Sequence, residues 1–316
     1  MTQETPTRTP SATSARLLQE NLARALRGRE SVIRTTAAVF LARGHLLLED
    51  VPGVGKTTLA RALAASVEGT VGRVQFTPDQ LPSDLTGITI YRQESGSFDF
   101  HPGPLFATIV IGDEINRASP KTQSALLESM QEGQVTVDGT SYPLPEPFMV
   151  IATQNPVEME GTYPLPEAQR DRFMAQVSIG YPPAESEYEL LAAGGWQPAQ
   201  TSAVLTQAEV LELIAQVDDT YVSDPVRRYV LDLVRATREV ESVELGASPR
   251  AGLQLLALAR STAALSGRDY VLPDDVQEVL VPVLAHRLAL TRSARSSGLT
   301  AAGVLTEILN ATPVPR

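Results

Sequence analysis

The chain has 316 residues, with 26 basic and 37 acidic side chains, a formal net charge of −11 and no cysteine. A chain without cysteine cannot form disulfides, thiolate metal sites or a cysteine nucleophile, and its acidic excess is the opposite of the basic surface that nucleic-acid binding requires. No apolar run approaches the roughly 18 residues that a membrane span needs, and the first residues are polar, so we expect a soluble, cytoplasmic protein of about two domains.

The start of the chain is rich in Thr, Ser and Pro and has no hydrophobic periodicity. This composition predicts a disordered tail over residues 1–13. From Ser14 onward, leucines recur at helical spacing, and Gly28 is typical of a helix end. A second helix is predicted over roughly residues 29–43.

Three short apolar runs predict the strands of a sheet, over residues 45–49, 107–111 and 148–152. Their apolar residues do not alternate with polar ones, which is typical of parallel strands that are buried on both faces. Helical patterns follow the first two runs, over residues 57–65 and 119–132. Strands that alternate with helices predict an α/β fold with a doubly wound parallel sheet.

Two hairpin-like insertions interrupt this pattern, at about residues 87–102 and 134–144, the second with Asp138-Gly139 as its turn. The C-terminal part shows no strand pattern. Its helical patterns cover residues 186–193, 206–217, 224–238, 249–265, 273–290 and 300–310. The sequence therefore predicts an α/β domain over residues 14–183 and an all-helical domain over residues 184–316.

A glycine-rich turn between the first strand and the following helix is the sharpest signal in the chain. Gly53 and Gly55 allow backbone N–H groups to surround a phosphate, and the helix after them presents its positive end. Lys56, one of only two lysines in the chain, would contact the β- and γ-phosphates of a nucleotide. Asp50 stands where the general P-loop pattern has glycine. The predicted nucleotide-binding residues are Pro52, Gly53, Val54, Gly55, Lys56, Thr57 and Thr58.

Acidic residues follow the second predicted strand, where ligands bind in parallel sheets. Asp113 would hold Mg²⁺ together with the hydroxyl of Thr57, and Glu114 would orient and deprotonate an attacking water. Asn155 follows the third strand and would hydrogen-bond that water or the γ-phosphate.

In chain order, these motifs resemble those of the AAA+ ATPases, and more narrowly those of their MoxR family. The matching stretches are residues 47–57, 103–106, 113–118, 153–156 and 161–173. The resemblance covers about residues 15–312 and implies a hexameric ring with ATP and Mg²⁺ bound between subunits. It implies that Arg172 is an arginine finger for the neighbouring subunit and that Arg250 is the sensor-2 arginine of a helical lid. Arg170, where such proteins usually carry an apolar residue, is the alternative finger.

The same resemblance implies ATP hydrolysis coupled to chaperone-like remodelling or activation of protein clients, often in the maturation of metal-containing enzymes with a von Willebrand A-domain partner. A magnesium-chelatase-type ATPase subunit shares the inserted hairpins and is an open alternative.

Three other functions are disfavoured. A nucleic-acid motor would have basic hairpins, but the two insertions contain one arginine or lysine, Arg92. A protein unfoldase would have an aromatic–hydrophobic–glycine pore loop, but Phe76, near the expected place, is followed by Thr77. A P-loop kinase would leave Arg172 and the helical domain without a role.

Overall fold

The computed structural model describes residues 10–26, 28–50, 54–154, 163, 165–181, 184–192 and 202–315. Its strands are, in chain order, β1 (Leu46–Glu49), β2 (Val71–Gln75), β3 (Gly87–Arg92), β4 (Ser97–Pro102), β5 (Ile109–Asp113), β6 (Gln134–Val137), β7 (Thr140–Pro143), β8 (Met149–Gln154), β9 (Ala175–Val177), β10 (Val243–Leu245) and β11 (Ala289–Leu290). Its helices are α1 (Pro10–Ala25), α2 (Glu30–Leu41), α3 (Lys56–Ser66), α4 (Pro82–Thr86), α5 (Pro120–Glu132), α6 (Glu167–Arg170), α7 (Ala184–Ala192), α8 (Gln207–Asp219), α9 (Asp224–Glu239), α10 (Pro249–Leu265), α11 (Pro273–Leu284), α12 (Arg292–Ser296) and α13 (Ala301–Ala311). Short 3-10 turns cover Ile115–Arg117 and Ala285–Arg287.

The centre of the α/β part is a five-stranded sheet in the order β2-β5-β8-β1-β9, in which every pairing is parallel. The three predicted strands are the central ones, β1, β5 and β8, and nearly all of their residues are buried. The outer strands β2 and β9 were not among the predicted ones, because β2 alternates buried and exposed residues at the sheet edge and β9 has three residues. The predicted doubly wound parallel sheet is confirmed.

Two apolar cores cover the two faces of this sheet, because successive residues of a strand point to opposite sides. Ile109 and Ile151 lie in a cluster with α1, α2 and α3, whereas Val110 and Val150 lie in a cluster with α5. Apolar residues of α8 to α13 belong to the first cluster. Residues 202–315, called here the C-terminal helical region, therefore share the core that covers that face.

Both predicted insertions are antiparallel hairpins, with β3 paired to β4 and β6 paired to β7. Asp138 and Gly139 join β6 to β7 with φ values of 50° and 79°, as a tight two-residue turn requires. The ring of Phe100 on β4 stacks on that of Tyr142 on β7, with centroids 3.9 Å apart, so the two hairpins are in contact.

The C-terminal helical region follows the predicted order of helices with two differences. The helix predicted over residues 273–290 ends at Leu284, after Pro282, and the chain then enters β11, whose antiparallel pairing with β10 departs from the all-helical expectation. The short helix α12 was also not predicted. Within the described residues, no helix is long and apolar enough to cross a membrane.

At the N-terminus, α1 begins at Pro10, inside the stretch predicted to be a disordered tail, residues 1–13. Proline is favoured as the first residue of a helix, because the N–H that it lacks would have no helical partner there. The first nine residues lie outside the described part of the chain.

Candidate active site

The carboxyl ends of β1, β5 and β8 meet at one edge of the sheet, where parallel sheets bind their ligands. Helix α3 starts at this edge with Lys56 as its first residue. Gly55 caps the helix in the left-handed conformation, with φ of 100°, which glycine adopts without strain. Three predicted site residues, Pro52, Gly53 and Asn155, lie outside the described residues. The described half of the glycine-rich turn thus leads into the N-terminus of α3, where no side chain caps the helix.

The ammonium group of Lys56 lies among acidic residues. Its Nζ donates a hydrogen bond to the backbone oxygen of Asp50 at 2.8 Å. Burial lowers the pKa of Lys56, and the negative charges of Asp50, Asp113 and Glu114 oppose that shift. The end of β5 and the start of α3 therefore lie within electrostatic reach of each other.

The residues predicted to hold Mg²⁺ have the right chemistry for that ion. Asp113, 8% exposed, accepts a hydrogen bond at Oδ2 from Nε of Arg73 on β2, at 2.9 Å. Thr57 and Thr58 are partly exposed in the first turn of α3, whereas Val54 before them is buried. The described residues contain no group of three His, Cys, Asp or Glu side chains that could hold a metal ion. A hydroxyl and one carboxylate, completed by phosphate and water oxygens, are typical of Mg²⁺ at nucleotide sites.

Glu114 is held in place from three directions. Its backbone adopts a φ of 59°, a left-handed conformation that costs energy for a residue other than glycine. Its N–H donates to Oγ1 of Thr153 on β8 at 3.0 Å. Its Oε2 forms an ion pair with Nη1 of Arg117 at 3.0 Å and accepts a hydrogen bond from Nε2 of Gln75 at 3.3 Å. The carboxylate is therefore oriented by side chains of the two flanking elements.

These supporting residues are not among the site residues that the sequence predicts. Arg117 lies three positions after Glu114, so its spacing could have indicated an ion pair. Arg73 and Gln75 on β2 gave no signal, because their contacts with β5 depend on the order of strands in the sheet.

Asp50 has a structural role that accounts for the departure from the general P-loop pattern. It is 5% exposed, and its Oδ1 accepts hydrogen bonds from Oγ of Ser178 at 2.8 Å and from N of Gly180 at 3.0 Å. Its Oδ2 accepts a hydrogen bond from N of Ile179. The carboxylate ties the start of the P-loop to the segment after β9, which a glycine could not do.

The two arginines predicted to act on the nucleotide are free of partners in the described part of the chain. Arg172 follows α6 and is partly buried, and Arg250 is the exposed second residue of α10. Neither side chain makes a hydrogen bond or ion pair with the described residues. The Nε of Arg170 also lacks a hydrogen-bond partner among the described residues, but it is buried. Burial, followed by the charges of Arg287 and Arg170, holds the pKa of His286 well below its ordinary value, so Arg170 lies near the C-terminal helical region.

Comparison with known proteins agrees with this geometry. A family model described as the ATPase family associated with various cellular activities matches residues 45–175, and a model described as an AAA lid domain matches residues 235–308. The chain is 46% identical over 298 residues to the uncharacterized protein YeaC of Bacillus subtilis, covering 94% of this chain and 93% of that protein. It is 44% identical over 298 residues to Chaperone MoxR1 of Mycobacterium tuberculosis, covering 92% and 79% respectively.

A solved structure gives the same result at the level of the fold. The crystal structure of a candidate ATPase from Cytophaga hutchinsonii superimposes with a TM-score of 0.89 at 38% identity. The superposition covers 97% of this chain and 96% of that one. The helical region therefore belongs to the shared architecture along with the α/β part.

Proposed function

The chain belongs to the MoxR family of AAA+ ATPases, and from that membership we propose that it is a ring-forming enzyme that hydrolyses ATP to remodel or activate protein clients. The observation that carries the proposal is the electrostatic proximity of Lys56, Asp113 and Glu114 at one edge of the sheet. Phosphoryl transfer to water needs a phosphate-binding cation, a metal-binding carboxylate and a group that orients the water. These three side chains supply those functions.

Each residue has a separate task in the proposed reaction. Lys56 and the N–H groups of the first turn of α3 bind the β- and γ-phosphates. Thr57 and Asp113 would hold Mg²⁺, which supplies charge neutralisation at the phosphates. Glu114 orients the attacking water and takes its proton, and its hydrogen-bond donors keep the carboxylate in position. Asn155 hydrogen-bonds the water or the γ-phosphate.

The active site is proposed to be completed by a neighbouring subunit in a hexameric ring. Arg172 would reach the neighbour's γ-phosphate, and Arg250 would contact the nucleotide bound by its own subunit. The lack of intramolecular partners for both side chains in the described part of the chain supports these roles. The position of Arg170 near His286 makes it the less available finger.

The client is proposed to be a protein in the cytoplasm. The only arginine or lysine of the two hairpins, Arg92, forms an ion pair with Asp99, so the hairpins offer little free positive charge. The β3–β4 hairpin exposes apolar side chains, among them Ile88 and Phe98, which suit contact with a polypeptide. A relative named as a chaperone supports this class of client. A von Willebrand A-domain partner and a metal-containing client enzyme follow from the family resemblance.

Two substitutions test the division of labour. Lys56→Ala is expected to abolish tight ATP binding, because the phosphates lose their main cation. Glu114→Gln is expected to keep ATP binding and to lower turnover by about 10²–10⁴-fold, because the amide cannot accept the proton. Nucleotide affinity and steady-state phosphate release measure the two effects separately.

Glu128→Gln is the matched control, since Glu128 is an exposed glutamate on α5 that undergoes the same chemical change. It should behave as wild type in both measurements. Wild-type turnover of Glu114→Gln would show that the catalytic assignment is wrong.

A further inference from the structure

A buried arginine joins the segment after α6 to the C-terminal helical region. Arg287 lies in the 3-10 turn after α11 and is 6% exposed. Its Nε donates to Oδ1 of Asp171 at 2.7 Å, and its Nη2 donates to the backbone oxygens of Asp171 at 3.0 Å and Phe173 at 2.6 Å. Its Nη1 donates to the backbone oxygen of Met174 at 3.3 Å. One guanidinium thus binds three carbonyls and a carboxylate of a single short segment.

Helix α10 contacts the same pair. Oε1 of Gln254 accepts a hydrogen bond from Nη2 of Arg287, and Nε2 of Gln254 lies 3.5 Å from the backbone oxygen of Asp171. Oγ of Ser248, the residue that caps α10, donates to Oδ2 of Asp171 at 3.4 Å. The position of Asp171 is therefore linked to both α10 and the turn after α11.

The Asp171–Arg287 pair lies close in sequence or contact to both arginines that are proposed to act on the nucleotide. Asp171 lies between Arg170 and Arg172, so the contacts of Arg287 fix the backbone on both sides of Arg172. Arg250 lies in the first turn of α10, two residues after Ser248. The arginine proposed for the chain's own nucleotide and the arginine proposed for the neighbour's nucleotide are thus attached to one network of hydrogen bonds.

We propose that the Asp171–Arg287 ion pair is a positioning element that transmits the placement of α10 in one subunit to Arg172 in the active site of the next subunit. This inference rests on the shared active site of the proposed function. Neither residue touches the nucleotide in this scheme. Their loss acts on the rate of hydrolysis through Arg172, and it leaves the subunit's own phosphate-binding turn intact.

The test uses Arg287→Gln and Asp171→Ala in the full-length ring. Each is expected to lower kcat by about 10²-fold, since displacement of a reacting group by about 1 Å costs that much. The dissociation constant for ATP should change by less than about threefold, because the phosphate-binding residues are unaffected. Adding Arg172→Ala to either variant should lower kcat no further than Arg172→Ala alone does, because both changes remove the same contribution.

Arg268→Gln is the matched control. Arg268 binds Asp275 in a bidentate ion pair, with Nη1–Oδ2 and Nη2–Oδ1 distances of 2.7 and 2.5 Å, that lies wholly within the C-terminal helical region. It destabilises that region without touching the segment that carries Arg172, so it should leave kcat near the wild-type value. A loss of kcat in Arg268→Gln equal to that in Arg287→Gln would overturn the inference.

Subunit mixing shows at which interface the pair acts. Rings that combine Arg287→Gln with Glu114→Gln subunits should regain activity, because a Glu114→Gln subunit donates a well-placed Arg172 to a neighbour that has an intact Glu114. Rings that combine Arg172→Ala with Glu114→Gln subunits should regain it in the same way. If only the second mixture is rescued, the positioning role is wrong and the shared active site stands. If neither is rescued, the shared site fails and the inference fails with it.

Asp171→Ala covers the case in which Arg287→Gln does not fold or assemble, as judged by circular dichroism and size-exclusion chromatography. The Asp171 side chain is 22% exposed and that of Arg287 is 3% exposed, and in Asp171→Ala the buried guanidinium keeps its backbone carbonyl acceptors. The same kinetic and subunit-mixing measurements on Asp171→Ala then test the proposal. Wild-type kcat in Asp171→Ala would contradict the proposal.

Discussion

His45 is a single side chain that completes the hydrogen bonding of the sheet. Its Nδ1 accepts a hydrogen bond from the backbone N of Val150, and its Nε2 donates to the backbone oxygen of Met130, both at 3.0 Å. Burial lowers its pKa to about 4, against which the bond to Met130 acts weakly. The neutral imidazole is therefore a structural part of the junction between β1, β8 and α5.

The buried state of His45 predicts a pH-dependent loss of stability. In the unfolded chain the residue takes up a proton near pH 6.5, whereas in the folded protein it stays neutral until about pH 4. The unfolded state binds more protons between these values, so stability falls as the pH drops through this window. From pH 7.5 to pH 5 His45 should cost about 2 kcal/mol of unfolding free energy, measured by urea denaturation.

His45→Asn should remove that part of the pH dependence, whatever its own stability. His101→Asn is the control, because His101 is exposed on β4, and it should retain the wild-type profile. An unchanged pH dependence in His45→Asn would contradict the assignment to His45.

Among the structural elements, α10 connects the most parts of the proposed machinery. Oγ of Ser248 accepts a hydrogen bond from N of Ala251 at 3.1 Å and so caps the helix, and the same hydroxyl contacts Asp171. Arg250 follows in the first turn. The beginning of this helix therefore sets the position of one proposed catalytic arginine and touches the segment of the other.

Substitutions at two helix caps with similar geometry distinguish an effect on stability from an effect on ATPase activity. Ser248→Ala and Thr300→Ala each remove a hydroxyl that accepts a hydrogen bond from a backbone N–H of the first turn, at 3.1 Å in both helices. Each should lower the unfolding free energy by about 1 kcal/mol. Ser248→Ala should in addition lower the rate of ATP hydrolysis severalfold, since of these two hydroxyls it is that of Ser248 that contacts Asp171.

Urea denaturation and steady-state phosphate release give the two readouts. Equal ATPase rates in the two variants would show that the start of α10 has no role beyond that of an ordinary helix end.

The whole molecule is acidic, with a formal net charge of −11. This charge affects whether nucleic acid or protein is the favoured binding partner. Phosphate backbones bind proteins mainly through arginine and lysine, with release of counterions. The one arginine of the two hairpins is already paired with Asp99. A long-range negative field and neutralised hairpins together favour a protein client over nucleic acid.

This charge distribution predicts that single- or double-stranded DNA leaves the ATPase rate unchanged at moderate salt. Under the proposed function, a cognate von Willebrand A-domain protein is expected to bind and to alter that rate. The measurement is steady-state phosphate release with each ligand at matched ionic strength. Several-fold stimulation by DNA that falls steeply as salt is raised would falsify the protein-remodelling proposal and favour the motor alternative.

Much of the fold and the centre of the candidate site could be read from local sequence patterns. The central strands appear as uninterrupted apolar runs because both faces of the sheet are covered. Lys56, Asp113 and Glu114 could be proposed as neighbours in one site because each belongs to a short motif whose position relative to a strand end is set by a few neighbouring residues.

The tertiary structure alone decided what surrounds those residues. Gln75 reaches Glu114 because β2 lies beside β5, Asp50 binds the segment after β9, and Arg287 binds Asp171 across the two parts of the chain. Each of these contacts joins residues far apart in sequence. They depend on strand order and on how the helices pack against the sheet, and local residue patterns carry no information about either.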